Sequence, residues 1–216
     1  MKKVYLDNAA TTQMRTEVVQ RMTEVMTETY GNPSSIHAVG RSGKTLIEQA
    51  RKTIAKFLNV AASEIVFTSG GTEADNLVLN SAVRDLGVQR IITSQIEHHA
   101  VLYTVNHLNS AYGTKVEYVR IDDCGKVDME HLEELLTASD EKTLVSLMHV
   151  NNEIGNLTDI QKVGELCKSK NALFHSDTVQ SVGHFELDLN QIKVDFTAVS
   201  AHKFHGPKGI GFAFIR

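Results

Sequence analysis

Residues 64–94 read EIVFTSGGTEADNLVLNSAVRDLGVQRIITS. A short apolar run, EIVFTS, passes through two glycines into a helical stretch, and a second short run, RIITS, follows. Strand, glycine turn, helix and strand in that order make a crossover unit, which joins parallel strands. The alternation continues outward. VEYVRI, TLVSLMHV, ALFHSD, FTAVS and GIGFAFIR are further short, β-branched runs, mostly separated by amphipathic stretches such as DIQKVGELCKSK. Upstream, Val18, Val19, Met22, Val25 and Met26 recur at helical spacing, as do Leu46, Ile47, Ala50, Ile54, Phe57 and Leu58. Seven runs apolar on both faces predict an α/β fold, a mostly parallel seven-stranded sheet with helices on both faces. The loop between the last two runs is too short for a helix, so the seventh strand is expected to be antiparallel. The first dozen residues and YGNPSSIHAVGR (30–41) stand outside the pattern and read as peripheral or site-forming segments.

The chain has 216 residues, enough for one well-packed domain or one large and one very small one. Its 42% hydrophobic and 22% charged content is that of a soluble globular protein. A formal charge of −4 without a basic run argues against nucleic acid or an anionic membrane as the main partner. In MKKVYLDNAATT, Asp7 and Asn8 arrive before any apolar stretch forms, so export is rejected and a cytoplasmic location is expected. Cys124 and Cys167 are then reduced thiols. Cys124, in DDCGK, reads as a turn residue, and Cys167 follows Ile160 and Val163 at helical spacing and reads as core packing. The ten histidines show no His-Glu-x-x-His spacing, and no metal is expected.

Ligands of open α/β sheets lie at the carboxyl ends of the strands, so the residue after each strand carries the functional signal. After EIVFT, Gly70 and Gly71 lead into Thr72 and a helix, whose free N–H groups suit a phosphate. A plain helix start capped by Ser69 or Thr72 would read the same. After RIITS, His98 and His99 diverge; one imidazole could stack on a planar ring, or both could simply open a helix. After TLVSLMHV, the polar NNEIGN offers Asn152 as an orienting amide, or is a turn. Asp177 ends ALFHSD with Gln180 three residues on. A buried carboxylate needs a cationic or hydrogen-bonding partner, such as a pyridinium nitrogen, unless it is an N-cap or half of an ion pair. After FTAVS, Lys203 stands among small residues, where a lysine could form a Schiff base with an aldehyde cofactor. Lys208, between Pro207 and Gly209, reads as an exposed loop lysine. A phosphate, a ring, a ring nitrogen and an aldehyde are the parts of pyridoxal 5′-phosphate, and agreement across five separate segments is hard to obtain by chance.

In order along the chain, YLDNAATT, YGNPSSIHAVGR, FTSGGTEADNLVL, IEHHAVL, SLMHVNNEIGNLTDI, HSDTVQSVGH and SAHKFHGPKGIGF resemble the cysteine desulfurases of the class-V aminotransferase group, which are fold-type-I pyridoxal-phosphate enzymes. The resemblance implies roles for individual residues. Lys203 matches the lysine that holds the cofactor and moves the substrate proton. Gly71, Thr72, Ser200 and His202 match the phosphate contacts. His98 matches the imidazole stacked on the ring, with an acid/base role. Asp177 matches the carboxylate on the ring nitrogen, Gln180 the side chain on the phenolic oxygen, and Asn152 the amide near that oxygen and the substrate carboxylate.

The reaction implied is removal of sulfur from L-cysteine, leaving alanine and an enzyme persulfide for iron–sulfur or thio-cofactor assembly. A homodimer and a sulfur acceptor or iron–sulfur scaffold protein are the implied partners. The family's attacking cysteine lies in a carboxyl-terminal part beyond residue 216, and neither Cys124 nor Cys167 matches it. Residues 16–216 are therefore expected to be the cofactor-binding large domain, residues 1–15 to belong to or lie near a small domain, and the carboxyl-terminal small domain to be absent. Two alternatives follow, a cofactor-binding module without desulfurase turnover and a related lyase acting on selenocysteine or another C–S substrate.

Overall fold

The computed structural model describes residues 3–216; Met1 and Lys2, part of the export reading, lie outside it. Two helices come first, α1 (Thr16–Glu28) and α2 (Ala38–Leu58). The alternating part follows as β1 (Ile65–Thr68), α3 (Gly71–Arg84), β2 (Arg90–Thr93), α4 (His99–Tyr112), β3 (Lys115–Tyr118), α5 (Met129–Thr137), β4 (Thr143–Ser146), α6 (Ile160–Ser169) and β5 (Leu173–Asp177), then β6 (Phe196–Ser200) and β7 (Gly211–Ile215). All seven strands fall on the runs expected to form them. They make one sheet in the order β1-β7-β6-β5-β4-β2-β3. β2–β3, β2–β4, β4–β5 and β5–β6 are parallel, and β7 runs antiparallel to both β6 and β1, as the short last connection requires.

Side chains alternate across the sheet and build two cores. On one face Ile92, Val145, Phe174, Val199 and Phe214 pack against Leu58 of α2, Leu132 of α5 and Val163 of α6. On the other, Ile91, Leu144, Phe196, Ala198 and Ala213 pack against Ala74 and Val78 of α3 and Val101 and Val105 of α4. Buried Cys167 belongs to the first core, where burial pushes its thiol up to about 12.

Helix α1 forms where its spacing predicts, with Val18, Met22 and Val25 half-buried and Val19 and Met26 exposed. Two expectations are corrected. Ala38–Arg41 of the YGNPSSIHAVGR loop belong to α2, where His37 Nδ1 caps the helix by accepting from Gly40 N–H at 3.3 Å. Regular β4 stops at Ser146, short of Val150, although Leu147 and His149 N–H still donate to His175 O and Asp177 O at 3.1 and 2.9 Å. That irregular continuation carries the NNEIGN loop to the level of the strand ends.

Candidate active site

The carboxyl ends of β1, β4, β5 and β6 surround a cavity of about 210 Å³. Its lining contains Gly71, Thr72, His98, Asn152, Asp177, Gln180, Ser200, His202 and Lys203, so every residue singled out for chemistry meets at one place. Asp75, Met148 and Val179 complete the wall.

One end is a helix start. Gly70, not Ser69 or Thr72, is the N-cap of α3, and no side chain caps it; Ser69 instead donates its N–H to Glu73 Oε2 at 2.5 Å. First-turn N–H groups without a capping side chain, and the positive end of the helix dipole, favour an anion. Gly71 is required here because a Cβ would run into a Val179 methyl. Buried Ser200 stands beside this turn, its Oγ 3.5 Å from where a Cβ on Gly70 would be. Lys208 is exposed, as the sequence suggests, and yet lines the adjoining hollow with Ser69, Gly70 and Thr72, so it forms the rim of the same end.

The other end is acidic and buried. Asp177 is 5% exposed, and its Oδ1 accepts the Val179 N–H at 2.9 Å. Burial, with Asp75 close by, pushes its carboxyl up to about 7, against the pull of that N–H and of His175 and His98. A carboxyl in this condition suits a ligand that brings its own positive charge or N–H.

His98 is the N-cap of α4, with Nδ1 accepting from Ala100 N–H at 3.1 Å. The cap fixes its ring on the cavity wall, while His99 turns away to stack on Tyr103 at 5.1 Å. His98 therefore opens a helix and also lines the cavity. Glu97 beside it is buried, accepts from Ser94 Oγ at 2.8 Å and Met148 N–H at 3.1 Å, and is pushed by burial up to about 8. The two asparagines divide the work. Asn151 is buried and sews the loop, donating to Ile96 O at 2.7 Å and accepting from Glu153 and Ile154 N–H, whereas Asn152 faces the cavity.

Lys203 lies in a short 3-10 turn (Ala201–Lys203) directly after β6. Its amine donates to Ala9 O and to Ala10 O, the latter at 3.1 Å, and Gln180 Nε2 donates to Ala9 O at 2.8 Å. Burial lowers the ammonium's pKa, opposed by Asp177 and Asp7, and burial with Lys203 and Lys208 nearby lowers that of His202. The amino-terminal segment is clamped onto this turn. Thr12 N–H and Oγ1 both donate to His202 O, and Thr12 Oγ1 accepts from the N–H of His205, whose φ of 70° is left-handed. LDNAATT is thus a site-forming segment, and its carbonyl groups are the contribution that a reading of side chains missed. Asp75 and Glu97 were missed as well, since each looks like an ordinary helix-start acid in the sequence.

Pyridoxal 5′-phosphate fits this donor set. An uncapped helix start suits its phosphate, a buried carboxyl suits its ring nitrogen, and an amine with a lowered pKa suits its aldehyde. Neither cysteine lines the cavity: Cys167 is in the core, and Cys124 is exposed in a turn closed by Asp122 Oδ1. Among the described residues there is no group of three or more His, Cys, Asp or Glu placed to hold a metal, and no helix long and apolar enough to cross a membrane.

Comparison with known proteins gives a consistent result. The family Aminotransferase class-V matches residues 4–216. The chain is 44% identical over 218 aligned residues to a cysteine desulfurase IscS of Clostridium botulinum (strain Kyoto / Type A2), covering all of this chain and 54% of that protein. It is 42% identical to a putative cysteine desulfurase IscS 1 of Bacillus subtilis (strain 168), covering 99% of this chain and 56% of the other. Among solved structures, a NifS-like protein superposes with a TM-score of 0.95 at 42% identity, covering all of this chain and 59% of that one. SspA in complex with cysteine superposes with a TM-score of 0.91 at 32% identity, covering 99% and 61%. The chain thus spans about half the length of the curated relatives it matches.

Proposed function

We propose a function that starts from one established premise: this chain belongs to the class-V aminotransferase family. Within that family the reading supported best is the pyridoxal-phosphate-holding part of a cysteine desulfurase, which takes sulfur from L-cysteine and leaves alanine. The observation that carries it is the convergence of Lys203, Asp177 and the uncapped start of α3 on one cavity. The desulfurase relatives and the cysteine bound to SspA favour the substrate.

The bound cofactor supplies an electron sink for negative charge developing beside the substrate carboxylate. The chain's own residues would bind the cofactor, orient the substrate and move its proton. Gly71 and Thr72 N–H groups, with Ser200 and His202, hold the phosphate. Asp177 keeps a proton on the ring nitrogen. His98 would line the ring's site, and Gln180 and Asn152 would orient its oxygen-bearing edge and the substrate carboxylate. Lys203 anchors the cofactor and moves the substrate's α-proton, a task for which burial's lowering of its pKa is suited. Residues 1–15 border a small domain in the complete protein, and the sulfur passes to an acceptor or iron–sulfur scaffold protein in a homodimeric, cytoplasmic assembly.

The test is the visible spectrum of the chain incubated with pyridoxal 5′-phosphate and freed of excess. The expected result is a retained yellow band that borohydride bleaches, with the reduced label on Lys203. A label on another lysine overturns the assignment. A second reading, cofactor binding without desulfurase turnover, is favoured by one observation: neither cysteine reaches the cavity. Alanine release from L-cysteine by this chain, above the rate of free cofactor, would remove it.

A further inference from the structure

Asp75 in the cavity wall reaches two buried side chains behind it, His175 and Ser146. His175 on β5 and Ser146 on β4 are direct neighbours in the sheet, and Asp177 is two residues beyond His175 on the same face. That face packs against α3, and Asp75 comes down from its second turn. Asp75 Oδ1 and His175 Nε2 are 3.3 Å apart, their residues 1% and 0% exposed, and neither atom makes a hydrogen bond to any described residue. The other imidazole nitrogen, Nδ1, is 2.9 Å from Ser146 Oγ.

Two unpaired polar atoms at that distance need only a small side-chain rotation to share a proton, and each left alone carries the cost of a buried unpaired group. Burial decides where the proton sits. It raises the Asp75 carboxyl well above its usual range and lowers the His175 imidazole to about 4, so both favour their neutral forms. With its proton kept, the Asp75 carboxyl can donate to Nε2, and the imidazole can then donate Nδ1–H to Ser146 Oγ, 2.9 Å away. The charged or titratable groups around Asp177 are Asp75 from α3, His175 on its own strand, Glu97 and His98 from the loop before α4, and Lys203 after β6. Burial is the larger cause that raises the Asp177 carboxyl and Asp75 the second, so a neutral Asp75 lessens the rise without removing it.

Position matters as much as charge. Asp75 is one turn beyond Gly71 and Thr72, and His175 is two residues before Asp177. We propose that Asp75 and His175, steadied by Ser146, are positioning residues: a proton-sharing tie that sets the spacing between the anion cradle on α3 and the carboxylate of Asp177 on β5. The tie rests on the cofactor reading above, because it matters only to a ligand that spans both ends.

Three ligands test it on the 216-residue chain: inorganic phosphate for the cradle, pyridoxal for the ring end, and pyridoxal 5′-phosphate for both. Asp75→Leu keeps the branched shape of the side chain, though it is larger, and removes the tie. The expected result is a loss of about tenfold or more in affinity for pyridoxal 5′-phosphate, with less than about twofold for either smaller ligand. Asp75→Asn, which can still bond to Nε2, should restore the affinity for pyridoxal 5′-phosphate to within about twofold of wild type. Equal weakening of all three ligands, or an Asp75→Leu chain that binds all three like wild type, overturns the tie. Should Asp75→Leu not fold, Ser146→Ala decides: selective weakening of pyridoxal 5′-phosphate supports the tie, and unchanged binding refutes it. A wild-type chain that retains no pyridoxal 5′-phosphate instead overturns the cofactor reading, and the tie with it. The two failures are therefore distinguishable.

Discussion

At one end of the cavity the chain offers backbone: the uncapped start of α3, with Gly71 pressed against Val179 and Ser200 alongside. At the other it offers buried side chains whose proton affinities burial has moved, Asp177 up to about 7 and Glu97 up to about 8. The first end is specific for charge and shape, and its backbone N–H groups do not titrate. The second depends on which groups hold protons and so answers to pH. A ligand with a phosphate at one end and a basic ring nitrogen at the other uses both kinds of recognition, and Lys203 joins them.

Removing the joining group should have the largest effect. Lys203→Ala is expected to abolish the borohydride-bleachable band completely while the melting temperature stays within a few degrees of wild type, measured by absorbance and calorimetry. A bleachable band that persists would break the division, because some other amine would then be doing the anchoring.

Next in size is the acidic end. Asp177→Asn should weaken retention of pyridoxal 5′-phosphate by about tenfold or more, the scale of a charge-assisted hydrogen bond lost from a buried site, while leaving affinity for inorganic phosphate nearly unchanged in equilibrium dialysis. A parallel loss of phosphate binding would mean that the two ends are not separate.

The cradle end should respond through packing. Gly71→Ala forces a methyl group into Val179 and is expected to cost about 1–3 kcal/mol of stability by denaturant unfolding. It should weaken phosphate and pyridoxal 5′-phosphate alike and leave pyridoxal unchanged.

The pH contrast is subtler. Asp177's folded value of about 7 lies above its ordinary value, so the folded chain holds a proton the unfolded chain has released. The group's contribution to stability is complete below about pH 4 and is lost as pH rises through about 7. Without cofactor, wild type should therefore lose stability relative to Asp177→Asn across that window, seen as diverging urea midpoints at pH 5 and pH 8. Midpoints that stay parallel would show that Asp177 is not proton-holding. Smallest of all is Cys124→Ser, at an exposed turn outside the cavity. It should change stability by less than about 0.5 kcal/mol and leave cofactor retention as it was.

The sheet was legible because strand runs and helical spacing are local properties: each burial pattern is written in neighbouring residues, and the seven runs found their strands. Even the antiparallel β7 followed from the length of one loop. The site residues were legible for a related reason. Chain direction alone places the residue after each strand at one edge of a parallel sheet, so Gly71, His98, Asn152, Asp177 and Lys203 could be read off in turn. How deeply α1 packs was not legible, since its spacing gives an apolar stripe and the fold only half-buries Val18, Met22 and Val25.

The amino-acid sequence by itself determined the class of fold, the order of its elements and the chemical types gathered at the strand ends, because these depend on periodicity and on position along the chain. Only the tertiary structure decided that Ala9 and Ala10 carbonyl groups close over Lys203, that Asn151 sews the loop while Asn152 faces the cavity, and that Asp75 meets His175 beneath Asp177. Those facts rest on contacts between residues as many as 194 positions apart. Buried proton affinities are set by what surrounds a group in space, and one-dimensional spacing carries no record of it.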